Sequence, residues 1–118
     1  MNTEITINGI EYIEKNSIKE SAQDLDGMRY CVVRTYSAGV HIGYLKSLDG
    51  TKCVLVNSRR LWSWESACSL SQVANDGVGE GSRLAQVLPE IILTEAIEVI
   101  PASKKAQGII EGFEVWEK

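Results

Sequence analysis

Apolar and polar positions alternate along much of the chain, and this pattern predicts strands. Residues 30–36 (YCVVRTY), 40–46 and 51–60 are rich in Val, Ile, Leu, Tyr and Cys, most of which favour the pleated backbone of a sheet. A glycine-containing turn follows each of the first two runs. The sequence therefore predicts three consecutive strands.

The turn at Asp49-Gly50 predicts the register of the hairpin between the second and third strands. If this loop has two residues, Lys46 pairs with Cys53 and His41 pairs with Ser58. Both faces of such a hairpin carry apolar side chains. This is expected of a sheet that is covered on both sides or curled into a small barrel.

The second half of the chain predicts two short helices and further strand structure. Ser69 and Gln72 fit a capping box at the start of one helix, and Ser103 can cap the other. Residues 84–100 are apolar but contain Pro89, which predicts either two strands broken by a bulge or one edge strand.

The N-terminal residues predict an appendage to this sheet. Asn8-Gly9 lies between two short β-prone runs and is typical of a hairpin, whereas residues 14–28 are polar and are expected to form a linker. We therefore divide the chain into a hairpin and linker (1–28) and a main β-rich domain (29–118). The expected fold class is α+β and β-rich: a small curved antiparallel sheet or partly open barrel with two short helices and an N-terminal β-hairpin.

Composition narrows the classes of function. A chain of 118 residues is typical of one compact unit. Twelve Lys and Arg against 16 Asp and Glu give a net charge of −4, which argues against a protein that coats nucleic acid or an anionic membrane. A nucleic-acid partner is disfavoured for this reason, and no apolar run is long enough to predict a membrane span.

The cysteines and carboxylates predict no metal site. Cys31, Cys53 and Cys68 are odd in number and widely spaced, which argues against a disulfide framework and against a CxxC zinc motif. Reduced thiols and the lack of a secretory signal at the N-terminus predict a cytoplasmic protein. The Asp and Glu residues are scattered, and we expect neither a metal nor a cofactor.

The run Arg59-Arg60-Leu61-Trp62-Ser63-Trp64 is the strongest candidate for a binding site. In an extended segment, Arg60, Trp62 and Trp64 point to one side, and Arg59 points to the other. Indole rings stack on nucleobases, and guanidinium groups form paired hydrogen bonds with phosphates. The run therefore predicts a site for a nucleotide-like ligand, with burial of one or both indoles in the core as the alternative.

Three further residues complete the candidate ligand-binding set: Tyr36, His41 and Arg83. His41 is the single histidine, and it can contact a ligand, act as a general base or serve a structural role. Arg83 follows the glycine-rich residues 77–82, which favour a flexible connector, and it can contact an anion at the end of that connector. Because no Cys-His or Ser-His-Asp set is evident, we assign no catalytic residue.

From Tyr30 onward the chain resembles a family of small phage and prophage proteins that carry a domain of unknown function. The resemblance covers roughly residues 29–113. It rests on the terminal helix and on the segments YCVVRTYSAGVHIGYL, VLVNSRRLWSWESACSLSQVA and SRLAQVLPEIILTEAIEVIPAS. It implies a viral or prophage setting, in the cytoplasm of the host cell, and it supplies no catalytic residues.

These observations predict a non-enzymatic phage protein that captures a small nucleotide-like immune signal and so counteracts host defence. A homo-oligomer with the ligand at its interface is consistent with this hypothesis. Two alternatives stay open. One is a protein-interaction module that inhibits a host protein, and the other is a small nucleotide phosphodiesterase that uses His41 as a base.

Overall fold

A computed structural model describes residues 20–117, and the hairpin predicted at Asn8-Gly9 lies outside these residues. The described chain forms six strands and two helices. In chain order they are β1 (Tyr30–Thr35), β2 (Val40–Asp49), β3 (Lys52–Ser63), α1 (Leu70–Asp76), β4 (Arg83–Leu84), β5 (Leu88–Leu93), β6 (Ala96–Pro101) and α2 (Lys104–Gly112).

One antiparallel sheet contains all six strands, and five of them follow the order β4-β3-β2-β1-β6. The long strand β3 also pairs with β5, which lies along Cys53–Ser58, whereas β4 pairs near the other end of β3. Only two residues separate β5 from β6, although these strands pair at opposite edges of the sheet. The sheet must therefore curl so that its edges approach at that turn. The predicted fold class, a curved and partly open antiparallel sheet with two helices, is confirmed.

The turn of the β2–β3 hairpin lies one residue later than predicted. Asp49 pairs with Lys52, so the two turn residues lie between them. Cys53 consequently faces Leu48, and the predicted pairing of Lys46 with Cys53 is wrong.

A β-bulge shifts the register again farther along the hairpin. The extra residue lies in β3 at Asn57, whose φ of 51° is left-handed, a conformation that asparagine tolerates better than most residues. This shift offsets an earlier one in which β2 has the extra residue, between Leu45 and Ser47. His41 therefore lies opposite Arg60, as the position of the turn requires, and the predicted pairing of His41 with Ser58 is wrong.

Gly43 allows β2 and β3 to approach closely at this bulge. A Cβ atom on Gly43 would lie 2.9 Å from Cα and 3.0 Å from Cβ of Ser58. The first of these atoms is backbone, so it cannot move aside by a change of side-chain rotamer. A glycine is therefore required at this position by the approach of the two strands.

Gly43→Ala is expected to lower the free energy of unfolding by about 1–3 kcal/mol, because the added methyl group forces the two strands apart. Urea unfolding followed by circular dichroism measures this change. Gly108→Ala in α2 is the matched control, because a Cβ there meets no atom within 4 Å. Alanine in a helix is favoured over glycine by up to about 1 kcal/mol. A Gly43→Ala variant as stable as the Gly108→Ala variant would contradict the close approach.

Serine side chains begin both helices, as predicted. The Ser69 hydroxyl accepts a hydrogen bond from the Gln72 N–H (3.3 Å), and the Ser103 hydroxyl accepts one from the Ala106 N–H (3.0 Å). The Gln72 side chain accepts from the N–H of Cys68 (2.8 Å), one residue before the position expected of a capping box.

Apolar side chains pack on both faces of the sheet. The two helices cover one face. The other face holds a second buried cluster formed by Cys31, Val33, Cys53, Leu55, Leu93 and Ala96. No helix within residues 20–117 is long and apolar enough to cross a membrane.

Residues 20–28, predicted as part of a linker, contact α2. The side-chain oxygen of Gln107 accepts a hydrogen bond from the N–H of Gln23 (2.9 Å), and its nitrogen donates to the Gln23 carbonyl (2.9 Å). The same nitrogen donates to the Tyr44 hydroxyl on β2 (3.0 Å). This buried glutamine thus joins three parts of the chain.

Candidate ligand-binding site

Four side chains form a continuous strip on the surface, which we call the aromatic–arginine strip: Arg60, Trp62, Trp116 and Arg83. The guanidinium carbon of Arg60 lies 5.2 Å from the Trp62 ring centroid, and that of Arg83 lies 5.2 Å from the Trp116 ring centroid. The two indole rings meet edge to face with their centroids 6.2 Å apart. Each cation is thus within range of an attractive interaction with an indole.

Three elements position the strip. Arg60 and Trp62 lie two residues apart in β3 and line the same cavity, so the predicted common side of these two residues is confirmed. Arg83 belongs to β4, which pairs with the end of β3. The N–H of Trp116 donates to the carbonyl of Leu84 (2.8 Å), which fixes the C-terminal segment beside β4.

Both indoles of the strip are accessible. Trp62 is 55% exposed and Trp116 is 44% exposed. Large aromatic side chains usually bury most of their surface, since this is their main contribution to stability. An exposed pair beside two arginines is therefore more typical of a binding surface than of a core.

A cavity of about 220 Å³ lies beside Trp62, and we call it the small cavity. Its remaining wall comes from β2, from β5 and from the connection between β4 and β5. It is mostly apolar, with Arg60 and a histidine as its charged or ionisable residues. The residues that line it are His41, Arg60, Trp62, Ala85, Gln86, Leu88 and Ile91.

His41 supplies a buried polar group to the small cavity. The residue is 1% exposed, its Nε2 lies 2.9 Å from the Ala38 carbonyl oxygen, and its Nδ1 has no hydrogen-bond partner among the described residues. Burial lowers the pKa of His41 below its ordinary value of 6.5, and the charge of Arg60 lowers it further, while the Ala38 carbonyl acts in the opposite direction. A neutral ring that donates from Nε2 to Ala38 leaves Nδ1 as a hydrogen-bond acceptor.

A second unpartnered polar atom lies on the neighbouring strand. The hydroxyl of Ser58 is buried and, within the part of the chain that the structure describes, it has no hydrogen-bond partner. Ser58 pairs with Leu88, which lines the small cavity. Ser58 does not itself line the cavity, so its hydroxyl is a buried polar group behind the cavity wall.

A larger cavity, of about 610 Å³, lies on the other side of the indole pair, and we call it the large cavity. Trp116 and Arg83 line it, together with the carboxylates of Glu80 and Glu114. The strip therefore separates two cavities of different chemistry.

A model of a protein family, described as a domain of unknown function (DUF6948), matches residues 28–110. The chain belongs to this family. The match confirms the expected resemblance to a family of unknown function. No curated protein and no solved structure matches the chain.

Three residues of the strip and both unpartnered side chains lie within the DUF6948 match, whereas Trp116 lies beyond it. Trp116 is absent from the predicted set, because it is 54 positions from Trp62 and its near neighbours carry no binding motif. A tryptophan near the end of this sequence, between Val115 and Glu117, was the available signal.

Arg59 has a different role from Arg60 in the DUF6948 domain. It is 2% exposed, and its guanidinium donates to the carbonyls of Ala85 (2.8 Å), Ile110 (2.7 Å) and Phe113 (2.7 Å). The last two carbonyls lie at the end of α2, where backbone acceptors have no partner within the helix. This arrangement holds α2 against the sheet, so Arg59 serves the fold and is not part of the strip.

Two other predicted residues also lie apart from the strip. Trp64 follows the end of β3, where the strand alternation stops, and it packs half-buried against the core on the helix side. Tyr36 is 79% exposed in the turn between β1 and β2 and lines neither cavity. The structure thus brings together Arg60, Trp62, Arg83 and His41 from the predicted set.

No metal site is visible in the described residues, since no three His, Cys, Asp or Glu side chains there could hold an ion. The site offers the stacking surfaces of Trp62 and Trp116, the cations of Arg60 and Arg83, and the neutral ring of His41. These groups can bind a ligand through ring stacking, charge pairing and hydrogen bonds.

The stability of the domain is expected to fall as the pH decreases, in part because of His41. The unfolded imidazole takes up a proton near pH 6.5, whereas the lowered pKa of the folded state resists it. The unfolded state then binds more protons, so stability present above pH 6.5 is lost as the pH falls toward the pKa of the folded state. One proton gives a slope of at most about 1.4 kcal/mol per pH unit.

Urea unfolding at about pH 7.5 and about pH 5.5, on either side of the ordinary histidine pKa, measures this loss. We expect His41→Gln to lose less stability than the natural protein between these two values. If His41→Gln and the natural protein lose the same amount of stability between these pH values, His41 has the same pKa in the folded and unfolded states.

Proposed function

We propose that this DUF6948 protein is a non-enzymatic binding protein for a small nucleotide-like ligand. The observation that carries the proposal is an exposed indole, Trp62, that lies beside Arg60 and lines with it a cavity whose wall also includes His41, a buried residue with an unpartnered ring nitrogen among the described residues. In the proposed complex a planar ring stacks on Trp62, and an anionic group pairs with Arg60.

The energies of these contacts are adequate for a specific complex. Stacking of a base on an aromatic side chain contributes about 1–3 kcal/mol. A guanidinium forms short, charge-assisted hydrogen bonds with phosphate, and these are about twice as strong as neutral ones. Both contacts are available at Arg60 and Trp62 without rearrangement of the sheet.

His41 supplies selectivity in this proposal. In the proposed complex a local movement at the cavity wall brings the buried Nδ1 within reach, and this neutral nitrogen accepts a hydrogen bond from a ring N–H or an amino group of the ligand. A ligand with no donor at that place would leave the buried nitrogen unpaired, and this penalty favours nitrogen heterocycles over plain aromatic rings.

The size and charge of the site favour a small ligand over a polymer. The small cavity holds about 220 Å³, and the chain as a whole carries a net charge of −4. Binding of a long polyanion depends on many cationic contacts, whereas the strip offers two arginines.

The biological setting is proposed from the resemblance to phage and prophage proteins. We propose that the ligand is a nucleotide immune signal that the protein sequesters in the host cytoplasm, as a homo-oligomer with the strip at or near the interface. Sequestration without turnover is consistent with a site that stacks and pairs but has no assigned catalytic residue.

Isothermal titration calorimetry with the full chain tests the proposal. The ligands are adenosine monophosphate, histidine-linked ADP-ribose, cyclic ADP-ribose isomers and cyclic dinucleotides. We expect at least one to bind and to be recovered unchanged after incubation, as measured by chromatography. Recovery of a cleaved product would support the phosphodiesterase instead. Lack of binding by all of them would leave protein interaction through the exposed apolar residues of β5, among them Leu88 and Ile92, as the better candidate.

A further inference from the structure

The aromatic–arginine strip contains the same pair of groups twice. Arg60 and Trp62 form one pair, and Arg83 and Trp116 form the other, with the same separation of 5.2 Å between guanidinium carbon and ring centroid. The two indoles touch, so the pairs lie next to each other on one surface. A ligand with a single ring needs only one of them.

Each pair borders its own cavity. Trp62 lines the small cavity, and Trp116 lines the large cavity on the other side of the indole contact. A mononucleotide stacked on Trp62 would leave the large cavity and its arginine without a partner.

The two cavities differ in the groups that they offer to a ring. The small cavity has mostly apolar walls, and the neutral side chain of His41 forms part of them. The large cavity presents the carboxylates of Glu80 and Glu114, which accept hydrogen bonds from amino groups and ribose hydroxyls but repel phosphate. Each cavity has one arginine in its wall, so phosphate is favoured at the arginines, whereas rings or sugars are favoured at the apolar wall of the small cavity and at the carboxylates of the large cavity.

We propose that the ligand of the strip carries two planar heterocycles joined through phosphate, as a dinucleotide does. One ring stacks on Trp62 and extends into the small cavity, the second stacks on Trp116 beside the large cavity, and the phosphates pair with Arg60 and Arg83. This inference rests on the proposed function and narrows its ligand class.

Two linked rings gain affinity because the second binding event becomes intramolecular. Once the first ring is bound, the linker holds the second ring near Trp116 at a high effective concentration. A stacking contact of about 1–3 kcal/mol corresponds to a gain of about tenfold or more in affinity.

Calorimetry on the full chain with three adenine ligands tests the inference: adenosine monophosphate, linear diadenylate and cyclic diadenylate. We expect at least one diadenylate to bind at least about tenfold more tightly than the monophosphate. The linear and cyclic forms show whether the linker must be closed. Trp116→Ala is expected to reduce the diadenylate affinity to about that of the monophosphate and to change monophosphate binding by less than about twofold.

Arg83→Ala is the second variant, because Arg83 is an exposed side chain whose removal does not disturb the core. It is expected to weaken the diadenylate about fivefold to tenfold and the monophosphate hardly at all. Arg34→Ala, at an exposed arginine of β1 that pairs with Glu98, is the matched control and should leave all three affinities unchanged. Thermal unfolding of each variant checks that the fold is retained.

The outcomes separate the two proposals. Monophosphate binding with no gain for either diadenylate would overturn the two-ring inference and leave the proposed function standing. Equal losses for the monophosphate and the diadenylates in Trp116→Ala or Arg83→Ala would also overturn it, because both pairs would then serve one ring. If none of the three ligands binds, the proposed function fails for adenine ligands and the inference fails with it.

Discussion

Arg59→Ala is expected to lower the free energy of unfolding by about 3 kcal/mol or more, because it removes several buried hydrogen bonds at once. The guanidinium donates at 2.7–2.8 Å to three backbone carbonyls, two of them at the end of α2 and one in the connection between β4 and β5, and at 3.4 Å to a fourth, that of Glu114. Alanine removes the guanidinium donor from these acceptors in a place from which water is largely excluded, and the Ile110 carbonyl then keeps only the longer hydrogen bond from the Phe113 N–H (3.3 Å). The loss also removes the contact that holds the end of α2 against the sheet.

Urea unfolding of Arg59→Ala and Arg60→Ala compares the contributions of these two adjacent arginines to the free energy of unfolding. Arg60→Ala should lose less than about 1 kcal/mol, because it gives up one cation–indole contact at the surface. Arg59→Lys should fall between the natural protein and Arg59→Ala, because an ammonium group cannot reach all three carbonyls at once. Equal stabilities of the two alanine variants would contradict the structural role assigned to Arg59.

Trp62→Ala is expected to weaken ligand binding by about tenfold to a hundredfold, since a stacking contact contributes about 1–3 kcal/mol. The side chain is more than half exposed, so its removal should cost the fold little. Calorimetry with the tightest ligand of the panel gives the change in affinity, and thermal unfolding gives the change in stability.

Trp64→Ala is the control, and we expect it to affect stability rather than ligand binding. Its indole packs against the helix-side core, so we expect a loss of stability and an affinity close to that of the natural protein at temperatures where the variant is folded. Should Trp62→Ala bind as tightly as the natural protein, ring stacking on this residue would be excluded.

Local patterns predicted the parts of the site that depend on neighbouring residues. Strand alternation placed Arg60 and Trp62 on one side of β3, and the serine caps of both helices followed from short-range hydrogen bonding. The register was predicted incorrectly because the turn lies one residue later than Asp49-Gly50, and two bulges, one in β2 and one in β3 at Asn57, then shift the register and restore it. An asparagine inside a β-run is a weak signal of such a bulge.

Contacts between distant parts of the chain could not be predicted in this way. Arg59 meets acceptors more than fifty positions later, and only the packed helix shows that they need a donor. Trp116 joins Trp62 because its segment pairs with Leu84, a strand residue that has no special sequence pattern. Pairings of this kind depend on topology, and topology depends on the whole chain.

The position of Trp116 means that the binding strip is assembled from distant parts of the chain. One half is present in β3, whereas the other depends on a segment beyond α2 that is held by the Leu84 carbonyl. A ligand that contacts both Trp62 and Trp116 would link β3 to that segment through non-covalent contacts. Occupancy would therefore be expected to protect the segment beyond α2 from proteolysis, even where the affinity itself is modest.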